Sequence, residues 1–279
     1  MTSQDLYRIR DFVPDFDAIA AEFSARSRAF SVNADVLADL RYGARPREVL
    51  DVILPERPKA GAPLHVFVHG GYWRSGEKEN YRFVAAPVLA AGGVAALVEY
   101  DFMPGERLDV LVDQVRRAVL WLQEHARDFG ADPARLTVSG HSAGAHLASF
   151  LAATGSGEKE VPKLPVLKGL FLLSGIYDLS GIPGSFLRDE AKMTPSEASA
   201  WSPLTASQHA CPLRVIAFGA EETTPFLEPA AEFQSRLNTQ GEAGQFLPLP
   251  GLNHMTVVLD LANPLGLAGA RIADMVALR

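Results

Sequence analysis

The pentapeptide Gly140-His141-Ser142-Ala143-Gly144 lies between two segments of different composition. Residues 136–139 before it form a short apolar run that predicts a strand, and residues 143–153 after it are rich in small helix formers. At a sharp turn from strand to helix, glycines two places either side of a serine allow close approach and expose the hydroxyl. We therefore predict that Ser142 is a nucleophile, the alternative being an ordinary serine at a helix N-cap.

Short apolar runs recur along the chain with helical patterns between them, which is typical of β-α-β units building a mostly parallel sheet. We predict a single α/β domain over residues 1–279, with helices on both faces of the central sheet. Residues 1–33 are expected to form an N-terminal arm or partial cap over the edge of the sheet. The predicted strands are 49–54, 64–68, 94–98, 136–139, 170–173, 213–218 and 245–249, and the predicted helices are 80–91, 107–128, 143–153, 225–238 and 266–278.

Composition and charge exclude several classes of function. The chain has 279 residues, of which 48% are hydrophobic and 21% charged, a balance typical of a soluble globular protein. Its net charge of −7 provides no positive field for nucleic acid or an anionic membrane, so we expect a small-molecule partner. Cys211 opens an apolar run and is interpreted as a buried core thiol. Residues 1–13 lack the apolar centre of a signal peptide, which predicts a cytoplasmic location.

A second glycine motif, His69-Gly70-Gly71-Tyr72-Trp73, follows the predicted strand 64–68 directly. Two glycines let the backbone turn so that its N–H groups face a cavity, as a tetrahedral oxyanion requires. We predict that the amide of Gly71 or Tyr72 acts together with the amide of Ala143 at the helix start. A simple tight turn is the alternative, and the presence of the serine motif downstream favours the oxyanion hole.

His65 and His69 are candidate metal ligands, because histidine is a common zinc ligand. Four residues along a strand separate the two side chains by about 13 Å, which is too far for one ion. The spacing of the other histidines, carboxylates and the cysteine indicates no metal site either. We therefore expect neither a metal nor a cofactor.

The catalytic base follows from chain order, because enzymes with this serine elbow carry nucleophile, acid and histidine in that sequence. Only His146, His209 and His254 follow Ser142. His146 lies one turn into the helix and should point away, whereas His209 precedes a predicted strand. His254 lies in the loop after the last predicted strand, where a base would reach the sheet edge. We predict His254 as the base, the alternative being a surface loop histidine.

The catalytic acid should follow the strand predicted at 213–218, where Glu221 and Glu222 are adjacent. A glutamate can orient the imidazole by accepting its Nδ1 proton, but adjacent side chains cannot both face His254. From the residues alone the choice between the two glutamates stays open. Asp178 follows an earlier strand, and a role in a turn or a helix cap suits it better.

With these residues in place, the chain resembles the arylformamidase (kynurenine formamidase) group of α/β-hydrolases over residues 40–260. The most specific feature is Tyr72, which stands where lipase and esterase relatives usually have a third glycine. The other matching segments are Tyr100-Asp101, Pro104, 112–115, 140–147, 174–179 and Ser202-Pro203.

The resemblance implies an α/β-hydrolase fold and a metal-free triad that cleaves the formyl amide of N-formylkynurenine or a related small acyl amide or ester. In the family the acid stands four places before a phenylalanine, which here selects Glu222 ahead of Phe226. Animal members tend to carry aspartate at this position, so the glutamate is a departure. A carboxylesterase or amidase, and a non-catalytic binding protein on the same scaffold, are the alternatives. A homodimer is compatible with the resemblance. The substrate-binding residues we predict are Gly70, Tyr72, Trp73, Phe102 and His141, with core packing as the alternative role of the three aromatic residues.

Overall fold

The structure is a computed structural model that describes residues 4–242 and 244–278. Its strands are β1 (Asp35–Arg41), β2 (Val49–Leu54), β3 (Ala62–Val68), β4 (Val94–Val98), β5 (Ala131–His141), β6 (Ala153–Thr154), β7 (Gly169–Leu173), β8 (Ser207–Gln208), β9 (Arg214–Gly219) and β10 (Gly244–Leu249). Its α-helices are α1 (Phe16–Ser31), α2 (Ala86–Ala90), α3 (Leu108–Glu124), α4 (Ala143–Ser149), α5 (Arg188–Ala191), α6 (Pro195–Ala200), α7 (Thr224–Thr239), α8 (Thr256–Leu261) and α9 (Leu267–Ala277).

Eight of these strands form one sheet in the order β1-β2-β4-β3-β5-β7-β9-β10, and β6 pairs with β8 in a separate short ladder. Strand β2 runs antiparallel to both of its neighbours, whereas the pairs from β4 through β10 are parallel. In a parallel sheet the carboxyl ends of the strands meet at one edge. The loops that follow β3, β5, β7, β9 and β10 therefore open on the same side of the molecule.

Apolar side chains from the central strands alternate between two cores, one on each face of the sheet. Val66 and Val68 of β3 belong to the core that contains the apolar stripe of α3 and all of α4. Phe67, between them, belongs to the opposite core, which contains the buried residues of α8 and α9. This alternation follows from the two-residue period of a strand. Helices on both faces and a mostly parallel sheet are as predicted.

The predicted strands all exist, within a few residues of their predicted ends, and the edge strand β1 was missed. Its seven residues, Asp35–Arg41, are exposed or half-buried, and its pairing with β2 is interrupted between Leu37 and Leu40. An edge strand without a buried face carries no hydrophobic alternation, so the sequence pattern cannot reveal it.

Three predicted helices are shorter or more divided than the sequence indicated. Residues 78–85 form a 3₁₀ helix before α2, which begins where Pro87 occupies its first turn. Residues 126–129 form a 3₁₀ turn after α3, and Gly130 ends it with a left-handed φ of 74°. The helix predicted over 143–153 ends at Ser149 and continues as a 3₁₀ turn. In the described part of the chain, no helix is both long and apolar enough to cross a membrane.

The turn from β5 into α4 brings three backbone segments into close contact. An ideal Cβ placed on Gly144 would lie 2.1 Å from the carbonyl oxygen of Val68 in β3. One placed on Gly140 would lie 2.3 Å from the carbonyl oxygen of Gly144. Real Cβ atoms do not approach backbone oxygens so closely, so both positions require glycine.

We predict that Gly144→Ala lowers the free energy of unfolding by about 3 kcal/mol, because the methyl group would push α4 away from β3. Chemical denaturation measures the loss. Gly184→Ala is the matched control, since Gly184 is exposed and its added Cβ would meet no atom within 4 Å. Equal stability of the two variants would contradict the tight junction.

His65 is a fully buried histidine on β3 whose two ring nitrogens face hydroxyl groups of β5. Nδ1 lies 2.8 Å from Oγ1 of Thr137, and Nε2 lies 2.7 Å from Oγ of Ser139. Burial lowers the pKa of His65 from 6.5 to about 3. The folded protein therefore holds this ring neutral at a pH where the unfolded chain binds a proton.

We predict that His65 makes the folded state less stable as the pH falls from about 6.5 towards 3, because over this range only the unfolded chain takes up the proton. A proton bound only by the unfolded chain changes the free energy of unfolding by ~1.4 kcal/mol per pH unit. In His65→Gln, the slope of the unfolding free energy against pH between 6 and 4 should therefore be smaller by the equivalent of about one bound proton. An unchanged slope would show that this histidine does not titrate differently in the two states.

Candidate active site

The predicted catalytic residues lie at the edge of the sheet where the parallel strands end. Ser142 follows β5, Glu222 follows β9 and His254 follows β10, while the loop carrying Gly71 follows β3. All four loops open on the same side because their strands are parallel. Residues separated by more than 180 positions in sequence are thus brought to one place.

Ser142 has a backbone conformation that non-glycine residues rarely adopt, with φ 55° and ψ −120°. Its amide donates to the carbonyl of Leu173 on β7 at 2.9 Å, and its carbonyl accepts the amide of His146 at 3.0 Å. These bonds fix the strained turn at the N-terminus of α4. In this conformation the Ser142 hydroxyl makes no hydrogen bond to residues 4–242 or 244–278, so its predicted contact with His254 is not formed. Such contacts are often looser before substrate binds.

His254 and Glu222 form a buried pair. Nδ1 of His254 lies 2.7 Å from Oε2 of Glu222, and both side chains are almost fully shielded from solvent. Asn253 precedes the histidine, and its side-chain oxygen accepts two amides at 3.0 Å in a turn that orients the loop. Glu221, in contrast, is exposed to solvent. Of the two adjacent glutamates, only Glu222 contacts the histidine.

The other carboxylate oxygen of Glu222 is held by two donors. Oε1 accepts the hydroxyl of Ser174 and, at 2.8 Å, the amide of Gly219 at the end of β9. Ser174 itself has a left-handed φ of 53° and follows β7 directly. These donors leave Oε2 free to face the imidazole. Ser174 was not predicted as a site residue, although it follows a predicted strand and begins the segment 174–179 that matches the family.

The loop after β3 has three consecutive residues with positive φ: Gly71 at 125°, Tyr72 at 51° and Trp73 at 59°. A Cβ on Gly71 would lie 2.0 Å from the carbonyl oxygen of Ser75, so glycine is required there. The amides of Gly71 and Tyr72 donate to no acceptor in the part of the chain that the structure describes. Unpaired amides beside a nucleophile are suited to bind an oxyanion.

His69 anchors the base of this loop. Its Nδ1 lies 2.8 Å from the carbonyl oxygen of Gly70, and its Nε2 lies 2.9 Å from a carboxylate oxygen of Glu99. Burial alone would raise the pKa of Glu99, but the hydrogen bond and charge of His69, together with Arg47, hold that pKa below its usual value. His65 and His69 thus have separate sets of partners.

His141 is buried beside Ser142, and its ring centroid lies 4.8 Å from that of His254. Burial, with a further contribution from the charge of His254, lowers the pKa of His141 well below its usual value. The neutral ring can donate its Nε2 proton to the carbonyl oxygen of His254 at 2.9 Å. His141 therefore fixes the backbone of the predicted base.

A cavity of about 540 Å³ opens in front of Ser142 and His254. Its walls include several aromatic rings together with residues from the N-terminal segment, which the sequence analysis did not connect with the site. A volume of this size is typical of a small-molecule pocket. The aromatic residues that line it are Phe16, Phe23, Tyr72, Tyr81 and Phe186.

Three of the predicted substrate-binding residues, Gly70, Trp73 and Phe102, do not line this cavity. Trp73 is fully buried and donates its indole N–H to Nδ1 of His146 at 3.1 Å, so it belongs to the core. Phe102 packs under the guanidinium of Arg47, whose carbon lies 3.7 Å from the ring centroid, at a separate surface cleft. Gly70 lies behind the cavity wall, against His141 and Ser142. Whether a residue of the motif lines the cavity depends on the direction of its side chain, and motif spacing does not specify that direction.

The sequence is similar to proteins of one family. The family model described as BD-FAE matches residues 50–220. A kynurenine formamidase from Danio rerio is 33% identical, over 88% of this chain and 83% of the relative. A kynurenine formamidase from Salmo salar is also 33% identical, over 82% and 78%. The esterase LipC from Mycobacterium tuberculosis is 26% identical, over 80% of this chain and 60% of the relative.

Solved structures agree on the fold. A thermostable esterase from Pseudomonas putida has a TM-score of 0.70 at 20% identity, covering 92% of this chain and 86% of the other. A candidate thioesterase from a Silicibacter species reaches 0.80 at 23% identity and covers both chains fully. The predicted α/β-hydrolase fold is thus confirmed. On the sequence similarities, the chain is a hydrolase that belongs to the BD-FAE family and, with its fish relatives, to the kynurenine formamidase family.

Proposed function

We propose that this protein is an arylformamidase that hydrolyses the formyl amide of N-formylkynurenine or a closely similar aryl formamide. The observation that carries the proposal is the buried contact between His254 and Glu222 at the cavity that also holds Ser142. The 33% identity to two fish kynurenine formamidases supports the choice of substrate.

In the proposed mechanism, His254 takes the hydroxyl proton of Ser142 as the serine oxygen attacks the formyl carbon. The negative charge that develops on the carbonyl oxygen is stabilised by the amide of Ala143 and the amide of Gly71 or Tyr72. The imidazolium then protonates the departing arylamine, and water attacks the formyl ester to release formate. Glu222 accepts a hydrogen bond from the Nδ1–H of His254 throughout and stabilises the charged ring.

The lining of the cavity suits an aromatic leaving group. Ser142 and His141 are both buried. The walls of the 540 Å³ cavity include aromatic rings and residues of the N-terminal segment. An aryl ring can stack or pack edge-on against such walls.

A carboxylesterase for short acyl esters is the second candidate, favoured by the similarity to the esterase LipC and to solved esterase structures. It would use the same residues in the same roles. The cytoplasmic location, the homodimer and the absence of nucleic-acid, membrane and cofactor partners stay predictions. The oxyanion donors and the triad are likewise part of this proposal.

We predict that Glu222→Gln lowers kcat by on the order of 10³-fold or more, because the amide favours the wrong tautomer of His254. Glu221→Gln, at an exposed neighbour of the same chemistry, should leave kcat within about twofold of the wild type. Steady-state kinetics on one formamide and one aryl ester test both variants. Similar losses in the two variants would reject Glu222 as the acid.

We predict that the wild type reacts covalently with a fluorophosphonate probe and that Ser142→Ala does not, since the alanine lacks the attacking oxygen. Intact-protein mass spectrometry detects the adduct. Labelling that persists in Ser142→Ala would assign the nucleophile elsewhere, and no labelling of the wild type would favour a binding protein.

Substrate choice is tested by kcat/KM for N-formylkynurenine against kcat/KM for short-chain aryl esters. We expect efficient turnover of the formamide that is lost in Ser142→Ala. Strong ester hydrolysis with negligible formamide turnover would replace the formamidase assignment with the esterase one.

A further inference from the structure

One wall of the cavity is built by the N-terminal segment, residues 5–24, which the proposed chemistry does not use. Two hydrogen bonds hold the start of this segment over the site. The hydroxyl of Tyr72 donates to the carbonyl of Tyr7, and the hydroxyl of Thr223 donates to the carbonyl of Leu6 at 2.7 Å. These hydroxyls belong to the oxyanion loop and to the loop that carries the acid. The segment is therefore fixed relative to the reacting groups.

Arg8 and Asp11 lie on this wall, three residues apart, at a 3₁₀ turn formed by residues 9–11. The amide of Asp11 donates to the carbonyl of Arg8 at 2.9 Å, so the turn holds the two residues close together. Ile9 between them is buried and anchors the turn. Both charged side chains are exposed and line the cavity.

Arg8 and Asp11 form no ion pair with each other or with another side chain, within 4.0 Å, among residues 4–242 and 244–278. Neighbouring charged side chains at the cavity, in contrast, are paired with each other. Arg74, also at the cavity, pairs with Glu190 at 2.6 Å. The cavity thus presents one guanidinium and one carboxylate whose charges are left for a ligand.

The guanidinium of Arg8 is positioned by an aromatic wall. Its central carbon lies 5.0 Å from the ring centroid of Phe186. That ring packs edge-on against Tyr72, with centroids 5.4 Å apart. Stacking on a ring orients the planar fork of an arginine without using its N–H donors, which stay available for a carboxylate.

We propose that Arg8 and Asp11 form a subsite for a zwitterionic α-amino-acid tail carried by the aromatic leaving group. Arg8 binds the carboxylate of the tail through paired N–H donors, and Asp11 binds its ammonium group. Both residues then determine specificity rather than chemistry, because they contact the part of the substrate away from the scissile bond. This inference rests on the proposed formamidase activity.

Four formamides separate the two contacts. N-formylkynurenine carries both charges, its methyl ester carries only the ammonium, its α-N-acetyl derivative carries only the carboxylate, and formanilide carries neither. We expect Arg8→Gln to lower kcat/KM on the order of 10-fold, mainly by raising KM, for the two substrates that have a carboxylate. The methyl ester and formanilide should be unaffected by this variant.

Asp11→Asn should show the complementary pattern, with a loss confined to the two substrates that carry the ammonium group. Arg26→Gln is the matched control, since Arg26 is an exposed arginine of α1, just beyond this segment, that pairs with Glu22 outside the cavity. It should leave all four values of kcat/KM unchanged. Equal losses on all four formamides in Arg8→Gln would overturn the subsite and indicate a structural role for the segment.

The subsite can be tested even if no formamide is cleaved. O-acetyltyrosine carries the same zwitterionic tail on an aryl ester, and phenyl acetate lacks it. Preference for O-acetyltyrosine that disappears in Arg8→Gln would retain the subsite while the formamidase assignment fails. No preference in the wild type, for either the formamides or the esters, would reject the subsite.

Discussion

The close approach of α4 to β3 and β5 is the constraint on which the site depends. Gly140 and Gly144 permit contacts of backbone atoms that any Cβ would prevent. The same contacts hold Ser142 at φ 55°, a strained conformation that persists because the surrounding sheet fixes both ends of the turn. They also place the start of α4 beside the loop after β3. Backbone amides of two separate segments consequently flank one serine.

The polar groups buried around this junction form hydrogen bonds with one another. Glu222 accepts the hydroxyl of Ser174, the amide of Gly219 and the ring of His254, so its buried charge is compensated on both oxygens. A glutamate is one methylene longer than an aspartate, and these donors hold the longer side chain in one orientation. His141 then ties the backbone of His254 to the serine elbow.

The sheet and the cavity wall contribute differently to the site: the sheet positions the proposed catalytic residues, and the wall is proposed to contact the substrate. The sheet supplies the positions of Ser142, His254 and Glu222, the proposed nucleophile, base and acid, and its fold is shared with a solved esterase structure. The cavity wall comes in part from the N-terminal segment, whose charged face is not prescribed by the sheet. Because loops and arms tolerate change more readily than a packed sheet, substrate choice is expected to reside there.

The sequence by itself determined the strand-elbow-helix at Ser142 and the parallel sheet, and it predicted the order of the proposed triad, since each follows from local periodicity, glycine placement or chain order. It narrowed the acid to two residues, and the family pattern favoured Glu222. Only the tertiary structure decided that Trp73 faces the core, that Ser174 supports the acid and that Arg8 reaches the cavity. These facts depend on side-chain direction and on contacts between residues far apart in sequence, which local patterns do not encode.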